Sequence, residues 1–297
     1  MRPQDHASPK RRLRARGSAL VLAVTALALS GCGMPGLHTT VKNGYLPDPA
    51  TEGADRVRNI WLGSWVAALA VGLLVVGLTF WCMVAYRRRE GDKGLPPQLR
   101  YNVPIEIFYT VVPVFMVATL FYFTARDEEA LLDTSKPADV TVNVVGKQWS
   151  WDFNYVDANT YEAGTQAELT GKPGVEEELP TLYLPVNKRV EFVLTARDVI
   201  HSFWVPAFLQ KLDMVPGRVN EFQVTPTKEG TFAGKCAELC GSYHSQMLFN
   251  VKVVSQEEFD QHMSELKSRG NVGQLDNGIG REKIMPQDQP KLQTEGN

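Results

Sequence analysis

The stretch "KCAELCGSYHSQM", Lys235 to Met247, gathers two cysteines, a glutamate, a histidine and a methionine within thirteen residues. Two thiolates, an imidazole and a thioether form a soft donor set, which suits copper far better than calcium or magnesium. A disulfide between Cys236 and Cys240 would close so short a loop that it would constrain little chain entropy. Zinc is the serious inorganic rival, because Cys and His are its common ligands, but a thioether adds nothing to a zinc site. His201, in "ARDVIHSFWVP", supplies a second imidazole from a separate apolar segment. Taken singly, Met247 reads as a core residue and His201 as a satisfied buried histidine; the metal signal lies in the combination.

Ligands from distant segments need a rigid frame. Val140, Val142 and Val144 alternate with polar residues, as do Val190, Phe192 and Leu194, then Phe222 and Val224, then Met247, Phe249, Val251 and Val253. Such short alternating runs between Gly, Pro and Asn turns predict an antiparallel all-β sandwich or barrel from about residue 137 to 254. The polar stretch 156–180 reads as one long surface loop, of the kind that is usually functional or mobile. Phe259, Met263 and Leu266 predict a short helix after the last strand, and the chain from about Gly270 reads as a structureless polar tail in the terminal segment 255–297.

Upstream the composition changes. Residues 1–31 carry a basic run, an apolar run and small residues in the order of a secretory signal peptide, ending "LSGC". That ending resembles the bacterial lipobox and makes Cys32 a candidate for lipidation. After an exported segment 32–59, residues 60–86 hold no charged residue and are long enough to cross a bilayer. Residues 105–124 form a second candidate span despite Pro113 and Glu106. The connecting segment 87–104 holds Arg87, Arg88, Arg89, Lys93 and Arg100, which puts it on the cytoplasmic side and both mature ends outside. The fold class expected is therefore a two-helix transmembrane hairpin followed by an exported all-β domain, 125–254. The net charge of −2 gives no sign of a nucleic-acid partner.

"DVIHSFWVP", "KLDMVPGRVNEF" and "GKCAELCGSYHSQM" together resemble subunit II of the haem-copper cytochrome c oxidases. The resemblance runs from about Ile60 to Val254 and implies a cupredoxin-like sandwich carrying the binuclear copper centre CuA. It implies Cys236 and Cys240 as bridging thiolates, His201 and His244 as imidazole ligands and Met247 as the thioether. Glu238 would offer copper its carbonyl, and its carboxylate would face a magnesium or manganese ion at the boundary with subunit I.

The same resemblance makes Trp149, in "GKQWSWDFNY", the surface residue where electrons enter from cytochrome c. Lys147 and Ser150 depart from the usual histidine and aromatic of that segment. Glu106, in "EIFYTVVP", would lie at the mouth of a proton path; a carboxylate inside a span is a functional candidate by default. The function implied is to pass electrons from cytochrome c, free or as a subunit of a neighbouring complex, to subunit I in a bacterial cell membrane. A membrane-anchored copper-binding or assembly protein is the alternative. No C-x-x-C-H haem-attachment motif occurs, so the donor is a separate cytochrome.

Overall fold

In the computed structural model, residues 41–89, 91, 94, 95, 98–168 and 179–279 are described. Cys32, the signal segment, Lys93 and residues 169–178 of the long polar stretch lie outside them. The chain divides into two units, Met1–Asp48 and Pro49–Asn297. In the first, the Asn43 side chain hydrogen-bonds Asp48 at 2.5 Å. Everything below belongs to the second.

Two long helices come first, α1 (Ala54–Ala85) and α2 (Val103–Leu132), both long and apolar enough to cross a membrane. Each outruns the expected span: α1 begins six residues before Ile60, and α2 continues eight beyond Thr124. The reason is that helix formation does not stop where apolarity does. The additional turn Ala54–Asn59 is polar, and the last turns of α2 carry Asp127, Glu128 and Glu129. These polar ends interlock. Asp127, 6% exposed, faces Arg56 at 3.6 Å and Arg126 at 2.8 Å. A Cβ on Gly53 would come within 2.8 Å of the Leu131 side chain, so the start of α1 packs tightly against the end of α2. At the other end of α2, Asn102 caps the helix through its side chain, and Glu106 Oε1 accepts from the Asn102 N–H at 2.9 Å.

The sandwich follows as two five-stranded sheets. The first has the order β3-β2-β1-β5-β8 and the second β4-β10-β9-β6-β7. The strands are β1 (Val140–Lys147), β2 (Ser150–Tyr155), β3 (Thr160–Ala163), β4 (Thr181–Pro185), β5 (Val190–Ala196), β6 (His201–Val205), β7 (Gln210–Met214), β8 (Asn220–Val224), β9 (Gly230–Cys236) and β10 (Leu248–Val254). Most pairs are antiparallel, but β1 pairs with β5, and β4 with β10, in parallel. Alternation marks which face of a strand is buried; it carries no information on which neighbour the chain reaches after crossing between sheets.

Inward-facing aromatics fill the space between the sheets. Phe203, 1% exposed, lies 5.2 Å from Phe192, 5.1 Å from Phe249 and 5.9 Å from Trp151, centroid to centroid. Such offset and edge contacts favour one arrangement over its alternatives. β2 is buried on both faces: Trp151, Phe153 and Tyr155 point to the core, while Ser150, Asp152 and Asn154 lie under other chain segments.

Two expectations are corrected here. The stretch 156–180 is not one loop, because Thr160–Ala163 turns back as β3 against β2, with Tyr155 paired to Thr160. Nor is the chain structureless from Gly270. After helix α3 (Gln256–Ser268), capped by Ser255, residues 271–279 fold back over the first sheet. Val272 bridges Thr160, and the buried amide of Asn154 holds Leu275 by its N–H at 2.8 Å and its carbonyl at 3.1 Å. A buried amide needs partners, and the backbone of this segment supplies them.

The sandwich is stitched to the helix ends. Ala50 N–H donates to the Ala207 carbonyl, Thr227 N–H to the Ala50 carbonyl, and the Gln223 side chain to the carbonyls of Thr134 and Lys136. The sandwich therefore sits at the end of the hairpin formed by the start of α1 and the close of α2.

Candidate metal centre

Three elements of the sandwich end meet at one point. His201 opens β6 after the tight turn 197–200, Cys236 closes β9, and Cys240, His244 and Met247 follow in the loop that leads to β10. β6 and β9 are adjacent, with Phe203 paired to Cys236, so the ladder itself sets His201 beside the first cysteine.

The donor atoms converge. Cys236 Sγ lies 3.9 Å from Cys240 Sγ, and both cysteines are free thiols. His201 Nδ1 is 3.8 Å from Cys236 Sγ, and His244 Nδ1 is 3.4 Å from Cys240 Sγ. Met247 Sδ sits 3.7 Å from Cys240 Sγ, and the Glu238 carbonyl oxygen 3.2 Å from Cys236 Sγ. The ligand atoms of His201, Cys236 and Cys240 all lie within 4.8 Å of one another. His201 and Met247 are fully buried, which removes water as a competing ligand from their side.

The electrostatics suit a cation. Burial alone would push the Cys236 thiol up, but the His201 imidazole and the backbone at Glu238 and Ser202 outweigh it and hold the thiol below its ordinary value. Cys240 is pushed the other way, up to about 12, by burial and by the neighbouring Cys236. One thiolate forms readily; the second needs a positive charge to share the site. The two sulfurs, two imidazole nitrogens, thioether and carbonyl, with no bridge between the sulfurs, fit copper and offer more donors than a single tetrahedral zinc accepts.

Sequence reasoning missed the groups that orient these ligands. Asp198 Oδ1 is 2.8 Å from His201 Nε2, and its other oxygen accepts from the Gln148 N–H at 2.6 Å. Burial opposes ionisation of Asp198, yet the Gln148 N–H, His201 and the Val199 N–H together hold its carboxyl below the usual range. His201 is raised: burial disfavours its charge, and Cys236 and Asp198 outweigh that effect. Trp151 Nε1 donates to the Met247 carbonyl at 3.3 Å. The one available signal was Asp198 three residues before a histidine, within a turn.

Trp149 is brought to the centre. It sits half-buried in the turn between β1 and β2, where its Nε1 donates to the Cys240 carbonyl at 3.2 Å beside the Gln148 amide at 2.7 Å. Tyr243 packs edge-on against it at 4.9 Å. Glu238 is exposed and lines an open depression together with Lys211, Asp213 and Arg218. Glu106 lies on a different element, at the start of α2, and takes no part in this cluster.

Comparison with known proteins points one way. The family described as "Cytochrome C oxidase subunit II, periplasmic domain" matches residues 140–254. A "Probable cytochrome c oxidase subunit 2" of Streptomyces avermitilis is 48% identical, over 92% of this chain and 94% of that protein. The "Cytochrome c oxidase subunit 2" of Corynebacterium glutamicum is 33% identical over 82% of each. Among solved structures, the periplasmic domain of subunit II of cytochrome oxidase from Bradyrhizobium japonicum aligns with a TM-score of 0.42 at 35% identity, covering 45% of this chain and 97% of that one.

Proposed function

We propose that this chain, which belongs to the cytochrome c oxidase subunit II family, is the subunit through which electrons enter a respiratory oxidase. The family is part of an oxidoreductase complex. In this reading the subunit accepts electrons one at a time from a cytochrome c and passes them to the haem-copper subunit I, where oxygen is reduced to water.

The observation that carries the reading is the convergence of two unbridged thiols, two imidazole nitrogens, a thioether and a carbonyl at one end of the sandwich. His201, Cys236, Glu238 through its carbonyl, Cys240, His244 and Met247 are the proposed ligands of a binuclear copper centre. Such a centre, when bound, supplies a one-electron carrier whose charge is shared over two metals. The protein's part is to keep its ligands still: β6 and β9 fix His201 and Cys236 by their ladder, and Asp198 fixes the imidazole. Ligands that need not move on oxidation or reduction make electron transfer fast, because little has to reorganise.

Trp149 is the proposed point of injection, since it is only half-buried and its Nε1 donates to the Cys240 carbonyl. The Glu238 carboxylate is proposed to share a magnesium or manganese ion with subunit I, and Asp213 and Arg218, which line the same depression, extend a polar surface for that contact. Glu106 is proposed at the mouth of a proton path into subunit I.

Both helices are proposed as spans, with the arginine-rich connection in the cytoplasm. The stitched contacts that set the sandwich at the start of α1 and the close of α2 support this, because a hairpin brings those two ends to one membrane face. A signal peptide at 1–31 and a lipidated Cys32 complete the proposed attachment to a bacterial cell membrane. The long segment 156–180 is proposed to touch the donor cytochrome, free or part of a neighbouring complex.

The test is single-turnover electron injection into the purified oxidase from a reduced cytochrome c. Trp149→Phe is expected to slow injection strongly while the metal content stays unchanged. Injection at the unaltered rate would reject Trp149 as the point of arrival. Absence of copper from the unsubstituted chain would favour a metal-handling protein instead.

A further inference from the structure

The outer face of the first sheet carries a charge cluster that electron injection does not by itself require. Asp152, in the middle of β2, is 1% exposed. Its Oδ1 accepts from Lys147 Nζ at 2.6 Å and from the Gly164 N–H at 3.0 Å, while its Oδ2 faces Arg197 at 3.3 Å. Arg197 reaches onward to Asp276 at 3.7 Å, and its N–H donates to the Gly146 carbonyl at 3.0 Å. A buried carboxylate neutralised in this way is strongly disfavoured once a partner is removed.

The location of the two cations gives the cluster its meaning. Lys147 is the last residue of β1, immediately before Gln148 and Trp149; Arg197 follows β5, immediately before Asp198. One carboxylate therefore ties the strand end that launches the Trp149 turn to the strand end that launches the His201 turn. Backbone pairing holds the sheet as far as Lys147 opposite Ser150, and Gln148 and Trp149 lie beyond that ladder. Their positions depend on the contacts to Asp198 and Cys240.

We propose that Asp152, acting through Lys147 and Arg197, is a positioning residue for Trp149: it holds the β1–β2 turn against the Cys240 carbonyl and so sets the rate of electron injection. The inference rests on Trp149 being the point of injection.

The experiment uses the full chain in its assembled oxidase, with Asp152→Asn, Lys147→Gln, Lys147→Arg and Trp149→Phe. Three quantities are read: injection rate from a reduced soluble cytochrome c, hydrogen exchange of the metal-free chain by peptide, and the optical spectrum of the loaded centre. Asp152→Asn and Lys147→Gln are expected to slow injection by about tenfold, since small misplacement of a reacting group is costly. They should also speed exchange of the peptide 146–151 while those from β5 and β10 keep their protection. Lys147→Arg should restore both. The optical spectrum of the loaded centre should not change.

Wild-type injection in Asp152→Asn and Lys147→Gln, with Trp149→Phe slow, overturns the proposal and leaves the injection reading standing. Faster exchange across the whole sandwich also overturns it, because Asp152 would then be a general stabiliser. Wild-type injection in Trp149→Phe removes the reading and the proposal together. Should Asp152→Asn fail to assemble, Lys147→Gln carries the test, since the Lys147 side chain is 26% exposed and Arg197 still faces the carboxylate in that variant.

Discussion

Asp198 Oδ1 stands 2.8 Å from His201 Nε2. An ionised carboxylate only accepts, so Nε2 carries the ring hydrogen and the Nδ1 lone pair is left facing Cys236 Sγ at 3.8 Å. The carboxylate thus chooses the tautomer that a metal needs. Asp198→Asn is expected to weaken copper binding by about ten- to a hundredfold, the usual cost of losing such an outer partner. Competition with a chelator of known affinity measures it; unchanged affinity would mean that strand geometry alone orients the ring.

The imidazole is also held from behind. A Cβ placed on Gly146 would lie 2.9 Å from His201 Cδ2, closer than real Cβ atoms approach, and 3.1 Å from Cγ. Gly146→Ala should therefore displace the ring. Overpacking of this kind costs about 1–3 kcal/mol in stability. The more specific expectation is a changed copper spectrum in a protein that remains folded, read by absorption of the loaded form beside a denaturant melt.

The donor cluster was legible from residue types and spacing, because two thiols, two imidazoles and a thioether in one β domain share few other uses. The rest was not. Gln148 and Trp151 act through contacts made only when distant strands align, and the sole local mark of these groups is Asp198 three residues before His201. β3 was hidden because Thr160–Ala163 has only weak apolar alternation and is held by pairing with β2. The segment 271–279 looked like a polar tail because its anchor, the buried amide of Asn154, lies more than a hundred residues away in sequence. Apolar runs fixed both long helices, yet their polar ends, where Arg56 meets Asp127, lay outside that signal.

Glu106 has a structural duty that must be separated from its proposed one. Its Oε1 accepts from the Asn102 N–H and so completes the cap of α2. Glutamine keeps an acceptor oxygen but carries no titrating proton. Glu106→Gln is expected to leave the assembled oxidase as stable as before while slowing proton uptake coupled to turnover. Unchanged uptake would leave the cap as its whole role.

His262 gives the fold a pH dependence of its own. It stacks on Tyr183 at 3.7 Å, and burial lowers its pKa from 6.5 to about 4. At neutral pH the ring is uncharged, so its 4.0 Å approach to Glu162 is not an ion pair there. Above 6.5 neither folded nor unfolded chain protonates the ring, and its contribution to stability is complete. As pH falls from 6.5 toward 4, the unfolded chain takes up a proton that the folded chain refuses, and stability falls by at most on the order of 3 kcal/mol. His262→Phe keeps the stack and should flatten that part of the curve in melts between these limits. An equally steep curve in the variant would assign the loss to other groups.

Electron paramagnetic resonance of the copper-loaded full chain, together with a metal count, decides whether one cluster of sulfur and nitrogen donors holds a shared copper pair. Two coppers per chain, with a single unpaired electron spread over two equivalent copper nuclei, is the result expected. One localised copper per chain, or zinc in its place, would contradict it.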